Sequence, residues 1–158
     1  MSARSRAYSV QFNNVSVAAV QDLIALYCGA SMAVELHGLV IGQVTGTTVA
    51  NLKISVKRLP ATVTSGSGGS AATPQKMMRG DAAATATART NDTTQATTSG
   101  SASVLHSDVF NTVNGYQFFW PPQDQPTIGI SEAAVLSLDG APGSALTMSG
   151  TLYFGEVI

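Results

Sequence analysis

A period of two runs through this sequence and limits what it can become. Tyr8, Val10 and Phe12 alternate with Ser9, Gln11 and Asn13, and Leu52, Ile54 and Val56 alternate with Lys53, Ser55 and Lys57. Successive side chains of a strand point to opposite faces, so each run is a half-buried β-strand. Tyr116, Phe118 and Trp120 repeat the pattern around Gln117 and Phe119. Pro60 and the pair Pro121-Pro122 stop two of these runs, because proline offers no N–H to a ladder. Val135–Leu138 leads into the turn signal Asp139-Gly140. Leu146, Met148, Leu152 and Phe154 share one parity, with Gly150 between them as a bulge or a point of close approach. Residues 34–44 read as one long strand or as two broken at Gly38. Val17–Ala25 reads either as a short helix capped by Ser16 or as a buried strand. Many short strands with Gly, Pro and Asn punctuation predict one all-β domain over residues 1–158, an antiparallel β-sandwich or a jelly-roll-like fold.

The middle of the chain departs from this pattern. Ser65-Gly66-Ser67-Gly68-Gly69-Ser70 lies within residues 61–80, a flexible surface loop by composition. Residues 82–103 are almost entirely Ala, Thr and Ser. Ala84–Thr90 keeps the alternation, and threonine favours β structure, so an edge strand or extended arm is expected there, then a polar loop over 91–103. Residues 1–6 form a short basic N-terminal arm.

Charge is scarce. Asp, Glu, Lys and Arg make up 11% of the 158 residues, whereas 44% are hydrophobic and serine and threonine number 17 each. A typical soluble domain is about 25% charged. A hydroxyl-rich surface is weakly self-repelling and tolerates close contact with other protein, which points to a component of an assembly. A net charge of −1 argues against nucleic acid as a partner. All eight bases lie in the first 89 positions with three acids, a balance of +5, and residues 90–158 hold six acids and no base, a balance of −6. Either the two halves interleave and neutralise one another, or the subunit presents one basic and one acidic surface. No apolar run approaches the ~20 residues of a membrane span, and no secretory signal pattern is present, so the chain is expected to stay soluble or join an assembly in the cytoplasm that makes it, without a membrane partner.

Residues that carry chemistry are equally scarce. Cys28 is the only cysteine and His37 and His106 the only histidines, which leaves no spacing for a metal site. The Ser/Gly run matches no nucleophile elbow or phosphate cradle in its context. His106 and Asp108, two apart on a strand, share a face and are expected to form a structural hydrogen bond rather than a catalytic pair. No catalytic residue, cofactor or metal is therefore expected. The aromatic run has three readings: Tyr116, Phe118 and Trp120 as core, Phe119 on the opposite face as an anchor for a neighbouring subunit, or a carbohydrate platform, with core expected first.

Several segments resemble small proteins encoded by tailed bacteriophages. These are Thr64–Ser70 with Thr73-Pro74, Gly80-Asp81-Ala82-Ala83, Leu105-His106-Ser107-Asp108 with Phe110-Asn111, Gly115-Tyr116-Gln117, and Leu146–Leu152. The likeness runs from about Tyr8 to Glu156 and is to capsid decoration, or cement, proteins. It implies a non-enzymatic virion protein on the outer capsid surface. Such a protein binds the major capsid protein, clamps neighbouring subunits and self-associates as a homotrimer. On that reading Arg4, Arg6, Lys76 and Arg79 are docking charges toward an acidic shell. A carbohydrate- or receptor-binding β-module of a phage tail, and a small jelly-roll coat protein, are the alternatives.

Overall fold

Alternating runs bury one face only when two sheets close on each other. The computed structural model describes residues 6–45 and 49–157, and every regular element among them is a strand. In chain order these are β1 (Arg6–Val17), β2 (Gln21–Tyr27), β3 (Ala33–Thr45), β4 (Asn51–Leu59), β5 (Val63–Thr64), β6 (Ser70–Ala72), β7 (Gln75–Lys76), β8 (Thr87–Asp92), β9 (Thr97–Thr98), β10 (Ser103–Asn111), β11 (Tyr116–Phe119), β12 (Thr127–Ile128), β13 (Ala133–Leu138) and β14 (Leu146–Val157). The first sheet runs β11-β3-β14-β1-β7, with β12 also on β3, and the second runs β10-β4-β13-β2-β8-β6. All pairings are antiparallel, and the result is the expected β-sandwich. The core joins Tyr8, Val10, Phe12, Leu39, Ile41, Leu152 and Phe154 of the first sheet to Ile24, Leu26, Ile54, Val56, Leu136 and Leu138 of the second.

Neither segment left open by periodicity is a helix: Val17–Ala25 splits into the end of β1, a connection at 18–20 and the start of β2. Residues 34–44 lie in β3, unbroken at Gly38, and Gln21–Leu26 are all buried in β2. Gly150 is a point of close approach: a Cβ there would lie 2.7 Å from Ile41 Cγ2 and 2.9 Å from Phe12 Cε1. Asn14 takes the left-handed conformation, φ 52°, at the bulge where β1 slips register against β14.

The second sheet has a cover. Residues of β2 and β13 are buried on both faces because β5 and β9 pair above them. Ala25, Leu59, Ala133 and Val135 form a second small core there, packed by Tyr27, Val63 and Ala96. The Ser/Gly run is closely packed where it meets β8. A Cβ on Gly69 would lie 2.0 Å from the Thr90 carbonyl oxygen, and one on Gly66 2.6 Å from that of Thr94. The Gly69 N–H donates to buried Asp92 at 3.0 Å. Residues 61–80 thus carry β5, β6 and β7, and 91–103 carry β9.

Candidate interaction faces

The outer face of the first sheet is bare and uncharged across its centre. Its register lines up Ser9, Tyr153, Gly38 and Phe119 in one row and Gln11, Thr151, Val40 and Gln117 in the next. Neither row contains a charged residue. Phe119 and Tyr153 form an aromatic pair with ring centroids 5.8 Å apart, and Phe119 is 46% exposed. The ring of Phe119 lies over Gly38, where a Cβ would come within 2.2 Å of Cδ1. Only glycine leaves room for this ring on β3. The sequence places Phe119 on the opposite face from Phe118, as found. Tyr153 was readable in the same way, since it falls between inward Leu152 and Phe154.

Arg6, Lys76 and Arg79 come together at the other lateral edge. Lys76 sits opposite Tyr8, and Arg6 has the parity of Tyr8 and Val10, so neither belongs to the face that carries Tyr153. The Lys76 ammonium donates to the Arg79 carbonyl at 3.5 Å. Among the described residues Arg6, Lys76 and Arg79 make no ion pair. Met77 and Met78 between them are 56% and 42% exposed, a pair the sequence reading passed over. Phe119 lies across β3, β14 and β1 from Lys76, about 19 Å at the usual strand spacing. Arg4 lies outside the described residues.

Three of the four remaining described bases are paired within the chain, and Lys53 is exposed on β4 without an ion pair among the described residues. Lys57 meets Asp139 at 2.8 Å, Arg89 meets Asp92 at 2.8 Å, and Arg58 stands 4.0 Å from Glu132. The charge-poor halves therefore interleave in the middle of the fold and stay apart at its edges. On the covered face, Asp22 accepts from Ala96 N–H at 2.7 Å, Ser137 Oγ at 2.9 Å and Gln95 Nε2 at 3.1 Å. Burial pushes its carboxyl above the ordinary range, with those donors pulling it back.

His106 and Asp108 do not bond directly. Tyr116, from the opposite sheet, stands between them: its hydroxyl donates to Asp108 at 3.0 Å and lies 2.6 Å from His106 Nε2, which donates to it. The imidazole stacks on Phe118 with centroids 3.9 Å apart. These contacts zip edge strand β10 to edge strand β11. Burial and the hydrogen bond to Asp108 push the Tyr116 phenol up to about 12, and burial lowers the His106 imidazole while Asp108 opposes it. Cys28 is likewise pushed up to about 12 by burial, which makes its thiol a poor nucleophile. Among the described residues no three His, Cys, Asp or Glu side chains converge on a metal-sized space, and no helix is long and apolar enough to cross a membrane.

Compared with protein-family models, curated proteins and solved structures, the chain matches none. The geometry must carry the functional reading.

Proposed function

We propose that this chain is a non-enzymatic structural protein of a tailed-phage virion, seated on the outer capsid surface as a decoration protein that stabilises contacts between major capsid subunits. The observation that carries the reading is the uncharged outer face of the first sheet with its exposed Phe119–Tyr153 pair. Burying hydroxyls and amides against protein is far less costly than burying ions, and an aromatic pair held on a rigid sheet is the usual anchor of an interface. The resemblance to cement proteins through Leu105–Asn111 and Gly115–Gln117 supports the same role.

Size argues for several copies acting together. Four strands by about eight residues cover a footprint of roughly 500 Å², below the ~800 Å² that each partner contributes to a standard interface. One copy would bind weakly, and a trimer that presents three such faces would gain by avidity. Phe119 is the anchor toward the capsid on this reading, and Arg6, Lys76 and Arg79 are partner-binding residues outside that face.

A receptor-binding tail module is the second reading. It rests on a cavity of about 360 Å³ on the same face, lined by Gly42, Asn114, Gln117 and Ser149 beside Tyr116. Quantitative mass spectrometry of purified virions separates the two. A decoration protein is present in numbers comparable to the capsid subunits, and purified protein binds capsids stripped of it. A few copies per particle, or none, would overturn the proposal.

A further inference from the structure

The sandwich has two lateral edges, and their charges are opposite. One edge, at β1 and β7, carries Arg6, Lys76 and Arg79 with Asp81 beside them and buried Glu156 one strand in, opposite Arg6, and with Met77 and Met78 exposed. The other edge is built from β10, β11 and the loop to β12, and residues 103–126 contain no lysine or arginine. It carries exposed Asp108 and Asp124, with Glu35 on the adjoining end of β3. The nearest bases are Lys53 and Arg58, one strand in on β4. The Val109 N–H and the Tyr116 hydroxyl lower the Asp108 carboxyl, so it stays ionised. Val104 and Val109 on β10 give this edge its own exposed apolar surface, at 59% and 58%.

We infer that the basic edge of one copy docks head to tail on the acidic edge of a second copy of this chain. The two edges are complementary in charge, and each places apolar side chains next to its charges. Met77 and Met78 set against Val104 and Val109 would remove apolar surface from water on both copies. Arg6, Lys76 and Arg79, which make no ion pair among the described residues, are gathered at one edge. The strands of the other edge carry no base of their own and have exposed Lys53 one strand in, a pattern that favours basic edge against acidic edge over like against like. A head-to-tail contact is heterologous, so it closes into a ring when the rotation allows. This inference deepens the self-association in the reading above and rests on it, without requiring that the ring sit on a capsid.

The test uses the full chain free of capsids. Sedimentation or light scattering should give a mass above the monomer that falls as salt rises. The double variant K76E/R79E and the single variant D124K each reverse an exposed charge without touching the core. Each should weaken self-association about tenfold or more. An equimolar mixture of the two should associate again, because each supplies the edge the other has lost. A wild type that remains monomeric to about 1 mM, where binding is only ~4 kcal/mol, would overturn the inference. So would variants that associate like wild type, or a mixture no better than its parts. Capsid binding by the same variants is read separately. Monomers that still bind capsids sink the head-to-tail contact alone, and rings that ignore capsids sink the capsid reading alone.

Discussion

The outer faces of the two sheets are built from different residues and end up in opposite states. Over β2 and β13 the second sheet carries Ala25, Ala133, Val135, Asp22 and Ser137, and the chain folds β5 and β9 across them. At the centre of the first sheet lie Ser9, Gln11, Thr151, Val40 and Tyr153, and no strand among the described residues covers them. Apolar side chains on the covered face contribute stability only when water is removed, so a cover over them stabilises the monomer. Hydroxyls and amides on the bare face need no cover, yet they can accept one at little cost. The difference separates a surface that serves folding from one free to serve a partner.

The comparison breaks most visibly at Asp22. Its carboxylate holds the cover through the Ala96 N–H and Gln95 and ties it to Ser137 on β13. Asp22→Ala leaves those donors buried without an acceptor, and the expected loss is about 2–3 kcal/mol, read from the denaturant midpoint. Hydrogen exchange should then show residues 95–100 opening before either sheet. A loss under about 0.5 kcal/mol, the scatter of neutral surface changes, would mean that apolar packing alone keeps the cover in place.

On the bare face the sensitive position is Gly38. A Cβ there meets the Phe119 ring at 2.2 Å and the Phe118 carbonyl oxygen at 2.7 Å. Gly38→Ala is expected to destabilise by about 1–2 kcal/mol through overpacking. Phe119→Ala alone should lose less, since the ring is 46% exposed. The pair G38A/F119A should recover part of the first loss, because the ring has gone and only the backbone clash remains. Strict additivity in that cycle would show that ring and glycine do not share the space.

Charge placed on the two faces sharpens the contrast further. Gln11 and Gln117 are exposed at the centre of the bare face, and Thr97 is exposed on the cover. Gln11→Lys, Gln117→Lys and Thr97→Lys should each leave stability within about 0.5 kcal/mol. Binding to stripped capsids should fall about tenfold or more for the first two and stay unchanged for the third, because only the first two force an ion into a dry interface. Equal binding by all three would remove the bare face from the capsid reading.

Where one face of a strand meets water, the sequence declared itself. Tyr8 to Phe12, Leu52 to Val56 and Leu146 to Phe154 alternate because their sheets do. Where both faces are buried, alternation vanishes, and Val17–Ala25, whose Gln21–Ala25 part is buried in β2, could not be told from a helix by period alone. The cover was illegible for a related reason. Its residues are small and polar, and composition reports what a Ser/Gly run can do, not that Gly66 and Gly69 close against Thr90–Thr94. Phe119 was legible from parity. The partner of His106 was not, since Tyr116 reaches it from the other sheet and sequence distance carries no sign of which edges meet.

The smallest effect belongs to the seam between the two faces. His106 stacks on Phe118 and donates to Tyr116, and burial holds its imidazole below the ordinary 6.5 while Asp108 pulls it back up. The sign follows directly. A group whose folded pKa is lowered favours the neutral form in the native state, so its contribution is fully present above 6.5 and is lost as pH falls through the folded value. His37, lowered by burial on the same grounds with Glu35 opposing, adds to the same slope. Asp108 is lowered from 3.8, so its contribution persists until pH falls below that value and does not enter the window. His106→Gln keeps an N–H donor for Tyr116 and cannot titrate. Unfolding midpoints measured from pH 7.5 down to about pH 5, one to two units either side of the histidine pKa, should therefore decline less steeply in this variant than in wild type, by a fraction of one proton. At pH 7.5 the two should differ only by the lost ring stacking. An unchanged slope would mean that the imidazole is as easily protonated in the folded seam as in the open chain, and that β10 and β11 are held together by Phe110, Phe118 and Trp120 without regard to pH.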